Sequence, residues 1–183
     1  ASTVRVRLST ADATGAAGDA YDSTALDADQ DRRHAIFARD GTASGRYVRF
    51  DFTHASLAYV ECGRIVFGVR STFAYNYSPG SAETPVDRSE VDETRGGQDI
   101  VNPRAGYRRF DLVFGLVSES DRIGFVADML RENGIRKGVL LLTDPGGGAL
   151  NRDSLYGRVV EMPAITRDAD DRYSMRLVIK ELL

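Results

Sequence analysis

The residues able to do chemistry are few and scattered. The two histidines, His34 and His54, lie in or beside loop-like sequence. Neither belongs to an HExxH-type pair or any other close ligand cluster, and a single loop histidine is ordinarily solvated. Cys62 is the only cysteine, which excludes an intrachain disulfide and a cysteine-rich zinc site. It stands between Glu61 and Gly63 in a strand-like run with no base beside it, so a small buried hydrophobe is expected. The turn DPGGG (144–148) suggests a phosphate cradle. A P-loop, however, needs a lysine and a hydroxyl at fixed spacing and then a helix. Here Ala149, Leu150 and Asn151 follow, and a flexible hairpin turn is expected. The Asp-rich tract 9–31 lacks the spacing and terminal glutamate of an EF-hand and reads as a solvated loop with one short strand around Tyr21. No spacing of carboxylates singles out a glycosidase-like pair. The sequence nominates no catalytic, cofactor-binding or metal-ligating residue. A non-enzyme is expected.

What remains is architecture. A chain of 183 residues with 42% hydrophobic and 28% charged residues is long enough for one ordinary domain or two small ones. The net charge of −3, with acids and bases interleaved, supplies no general attraction for nucleic acid or anionic lipid. No apolar run is long enough to span a bilayer as a helix. Neither a membrane nor a nucleic-acid partner is expected. The basic residues are nearly all arginine, which suits interfaces through its bidentate fork, although arginine-favouring codon usage explains it equally well. Ala1 enters strand-like sequence almost at once, from which a preceding segment is expected.

TVRVRL (3–8) alternates Val4, Val6 and Leu8 with Arg5 and Arg7, the pattern of a half-buried strand. HAIFA (34–38) reads as a further short strand. RYVRFDF (46–52) and YVECGRIVFG (59–68) read as antiparallel neighbours across a short polar connection. STFAYNYS (71–78) carries Phe73, Tyr75 and Tyr77 at period two. Sugar stacking is one use for such a row, and core or subunit-interface packing is the commoner one. Residues 79–103 hold three of the five prolines, many charges and few large apolar side chains, and read as a linker or arm.

The second half changes rhythm. Phe110, Leu112, Phe114 and Leu116 share one face of a long strand. Ser118, with Asp121 three positions on, caps a helix over 119–133, and Ile123, Val126, Ala127 and Leu130 recur at helical spacing until Asn133-Gly134. KGVLLL and SLYGRVV read as strands, and in YSMRLVIKELL Tyr173, Met175, Leu177 and Ile179 alternate with Ser174, Arg176, Val178 and Lys180. The order strand, helix, strand, strand, strand is an α+β arrangement.

Two resemblances add to this reading. RYVRFDF with YVECGRI resembles the closing strands of galactose-binding-like (discoidin-type) jelly rolls over about 25 residues, with Phe67 at the position of a bulky aromatic. A jelly roll has about eight strands, more than residues 1–78 offer, so a partial or truncated module is implied. Residues 107–183 resemble the C-terminal part of minor tail or distal-tail-type proteins of tailed phages. The resemblance rests on a strand, a helix opening at Ser118-x-x-Asp121, then Asp144-Pro145, Tyr156-Gly157-Arg158 and the RYSMRLVIKEL ending, in that order. It implies a mainly β protein: a galactose-binding-like sandwich over 1–78, a linker over 79–103, and a β-rich distal-tail-like unit over 104–183. It further implies a structural part of a virion tail near its distal end. There, copies would close into a ring, about six rather than three, and join tube and hub proteins. Candidate subunit-interface residues are Phe73, Tyr75, Tyr77, Arg109, Asp111, Arg176 and Lys180. The alternative function is a carbohydrate-binding module for a host glycan. Its candidate loops, 9–33 and 53–58, carry Tyr21 as their sole aromatic.

Overall fold

The computed structural model describes residues 2–28, 36–38, 41–56, 59–144, 146 and 150–182. They form a mainly β protein with one packed helix. The chain divides into two compact units, Ala1–Arg70 with Leu142–Ser154, and Ser71–Leu141 with Leu155–Leu183.

In the first unit, β1 (Ser2–Ser9) pairs antiparallel with β2 (Tyr21–Asp22), β3 (Leu26–Ala28) and β4 (Tyr47–His54). The period-two pattern fixes the register. Val4 opposes Phe52, Val6 opposes Phe50 and Leu8 opposes Val48, so one face is apolar. The other face sets Arg7 opposite Arg49, and Asp51 bridges this like-charge pair. Its carboxylate accepts from Arg7 Nη2 at 2.6 Å and from Arg49 Nε at 2.7 Å. Gly15, at φ +69°, lies against β4, where an added Cβ would approach the Cβ of Arg49 to 2.8 Å.

The segment expected as the partner of β4 is not a strand: residues 59–73 are irregular, and Cys62 is exposed, not buried. A tight hairpin turning at residues 56–57 would have set Glu61 opposite Phe52 and Gly63 opposite Phe50. That would place a carboxylate on the apolar face and leave a gap beside an aromatic. The rings of Phe50 and Phe67 lie 6.3 Å apart. Within HAIFA, residues 36–38 are irregular, and His34 and Ala35 lie outside the described residues.

The second unit is a six-stranded antiparallel sheet in the order β5 (Ala82–Val86), β8 (Tyr107–Ser118), β12 (Arg172–Glu181), β10 (Leu155–Val159), β9 (Gly138–Leu141), with β11 (Ile165–Ala169) also on β12. A separate hairpin joins β6 (Glu90–Glu93) to β7 (Asp99–Asn102). The helix spans α1 (Glu119–Asp121), a π turn (Arg122–Val126) and α2 (Ala127–Asn133), matching the expected 119–133. Ser118 caps it as its spacing requires, its Oγ accepting from the Asp121 amide at 3.1 Å. Val126 and Leu130 pack on Phe110, Leu112, Phe114, Leu155, Val159, Met175, Leu177 and Ile179.

Ile123 departs from the expected face and is 59% exposed. The cause is the π turn, whose i→i+5 pattern wraps more residues per turn and rotates Ile123 off the stripe. A second departure has a similar origin. Between Phe114 and Val117 the pairing of β8 with β12 slips by one residue, so Val117 turns inward and Leu116 outward.

Other expectations also shift. Residues 71–78 form no strand. Within the expected linker, 82–86 joins the sheet as β5 and 90–102 forms the hairpin, because edge and hairpin strands need far less apolar sequence than a core strand. The expected flexible turn at 144–148 lies largely outside the described residues in the link from β9 to β10. That link includes the helical turn α3 (Leu150–Asp153), and residues 145 and 147–149 lie outside the described residues.

Candidate subunit interfaces

Four of the seven candidate residues lie on the outer face of the second unit's sheet. On β8, Arg109 and Asp111 point away from the face that carries Phe110 and Leu112; on β12, Arg176 and Lys180 point away from Leu177 and Ile179. The structure joins two of them. Arg176 donates from Nε to Asp111 Oδ1 at 2.7 Å and from Nη2 to Oδ2 at 2.5 Å, a bidentate pair that holds the Asp111 carboxyl below its ordinary range. Lys180 places Nζ 4.3 Å from the Tyr107 ring centre. Arg109 is exposed.

The aromatic trio divides. Phe73 is partly buried, its ring 4.3 Å from that of Phe114, and belongs to the core. Tyr75 and Tyr77 are exposed. Tyr75 borders a shallow groove of about 520 Å³ with Leu116, Val117, Ser118, Asp170, Asp171 and Arg172.

Several acidic side chains among the described residues are engaged by the backbone, by Thr10 or by arginines. Asp12 accepts from the amides of Thr14 at 2.9 Å and Ala17 at 2.8 Å, and Asp19 accepts from Thr10. Asp22 is hydrogen-bonded by Arg5 and by the Thr24 amide, which hold its carboxyl at about 2. At the helix start, Arg122 binds Glu119 at 2.9 and 2.5 Å and lies 4.7 Å over the Tyr173 ring. Hydrogen bonds from Arg122 and then Tyr173 hold Glu119 at about 2. His54 Nδ1 accepts from the Ser56 amide at 3.1 Å.

Sequence reasoning missed two exposed apolar surfaces. One is the irregular stretch containing Tyr59, Phe67 and Val69. The other is the β6–β7 hairpin, in which every residue of both strands is exposed, Val91, Ile100 and Val101 included. The available signal for the hairpin was EVDE and DIVN, two short strand-length runs around Gly96-Gly97, overshadowed by the surrounding charge and proline.

No family model matches the chain, and no curated protein matches it. Among solved structures, a chain described as "Virion of native gene transfer agent (GTA) particle" is similar at 20% identity and a TM-score of 0.47, over 62% of this chain and 98% of that one. At that level the fold itself is not shown to be shared.

Proposed function

We propose that this protein is a structural component of the tail of a phage or phage-like particle, near its distal end, where copies close into a ring and join tube and hub proteins. The β6–β7 hairpin carries the reading. A two-stranded hairpin is marginal in water on its own. This one exposes Val91, Ile100 and Val101, and both its faces lie open. Such an element is suited to being covered by a neighbouring chain. The sequence resemblance over 107–183 supports the same reading. Of its motif residues, Ser118 stands at the helix cap, Tyr156-Gly157-Arg158 lies in β10 and RYSMRLVIKE forms β12, all in the second unit, whereas Asp144 falls in the first.

Ring closure needs a heterologous interface, in which one patch meets a different patch on the next copy. The hairpin and the outer face of the sheet are two such patches on one unit. Antibody labelling of purified particles tests the assignment: label at the tail tip is expected, and label on the capsid shell or none at all would overturn it.

A further inference from the structure

The registers of three adjacent strands bring together cations that sequence separation hides. Arg158 on β10 pairs directly with Lys180 on β12, and Lys180 pairs directly with Arg109 on β8. Directly paired residues project from the same face, so the three side chains form a row across the outer face, about 10 Å long at roughly 4.8 Å per strand. Like charges directly opposite one another destabilise a sheet. Among the described residues, none of the three is in an ion pair. Asp111, on the same face two positions along β8 from Arg109, is attracted by Arg109 but paired with Arg176. The row is bordered by Tyr156 and Tyr107 on one side, and on the other by exposed Val160, buried Val178 and Asp111.

The hairpin shows the opposite defect. Glu93 stands directly opposite Asp99, two carboxylates beside the turn. Two positions along the same face, Val91 opposes Val101, and both are more than half exposed. Among the described residues Glu93 and Asp99 are in no ion pair, whereas Glu90 is held by Arg104 at 2.7 Å. Each surface concentrates one sign of charge, and each carries the charge that the other lacks.

We propose that the Arg158–Lys180–Arg109 row receives the Glu93/Asp99 end of the β6–β7 hairpin from a second copy of this chain, as a head-to-tail contact. This rests on the assembly reading above and names its two patches. Anions set among the cations relieve both repulsions, and Val91 and Val101 meet the border of the row. Because donor and acceptor are different patches, each copy keeps one of each to offer, and the contact propagates until it closes.

Charge exchange tests the contact. Sedimentation equilibrium of the full chain over a concentration series should show self-association that weakens with added salt. Arg158→Glu and Glu93→Arg should each weaken it by about tenfold or more, and the double variant should recover most of the loss. Mixing the two single variants should give mixed dimers, since one good row and one good hairpin remain. Thermal melts confirm folding, and Arg109→Glu replaces Arg158→Glu if the latter unfolds. A chain monomeric throughout, singles that associate as the parent does, or a double variant as weak as the singles would each overturn the proposal. So would duplex DNA captured by the row and lost with Arg158→Glu but not with Glu93→Arg. If tail labelling succeeds and the exchange fails, this contact is wrong and the tail assignment stands; the reverse pair of results separates them the other way.

Discussion

Phe73 lies with its ring centre 4.3 Å from that of Phe114, the planes 30° apart, which ties an irregular segment to the middle of β8. The aromatic row of 71–78 is thus divided between core and surface. Phe73→Ala is expected to cost about 2 kcal/mol, through lost burial and the lost ring pair. Tyr77→Ala should stay within about 0.5 kcal/mol, as surface changes usually do. Urea denaturation of both variants checks the division, and similar losses would contradict it.

The helix offers a paired test of its π turn. Leu130, 6% exposed, sits in the core, and Leu130→Ala should cost about 2–5 kcal/mol. Ile123→Ala should cost less than about 1 kcal/mol, because its side chain faces outward. An uninterrupted α-helix would bury both, so comparable losses would show that the turn is not as described.

Acid stability follows from two carboxylates. Asp22 is held at about 2 by Arg5 and the Thr24 amide, and Glu119 at about 2 by Arg122 and Tyr173. Both values lie below the ordinary ones of about 3.9 and 4.3, so each group favours the folded state fully above about pH 4. That contribution is lost as pH falls through about 2. Stability should therefore decline over this window, and Glu119→Gln should flatten part of the decline. An unchanged pH profile in that variant would show that Glu119 titrates normally in the folded chain.

Proteolysis separates the isolated chain from its assembly. Arg95 lies in the exposed turn of the β6–β7 hairpin, where trypsin can reach it. Isolated protein should be cut there early, and assembled particles should resist. Equal resistance in both states would show that the hairpin needs no neighbour.

How far the sequence reached depended on how strongly each element was patterned. β1, β4, β8 and β12 alternate cleanly, and the helix has both a cap and a periodic stripe, so these were legible. YVECGRIVFG misled because local alternation says nothing of register: Glu61 and Gly63 fall on the positions that a short hairpin would have aimed at Phe52 and Phe50. The fine faces of β8 and the helix were hidden by a one-residue slip and a π turn, neither of which has a composition signature here. The candidate charges were half legible. Arg109, Asp111, Arg176 and Lys180 do share a face, but Arg158 joins them only through the β10–β12 register, which single-strand reading cannot supply.

Cryo-EM of the parent particle tests the central claim most directly. The expected map shows several copies of this chain in a closed ring near the distal end of the tail, about six, with each β6–β7 hairpin against the outer sheet face of its neighbour. A single copy, or placement on the capsid shell, would contradict it.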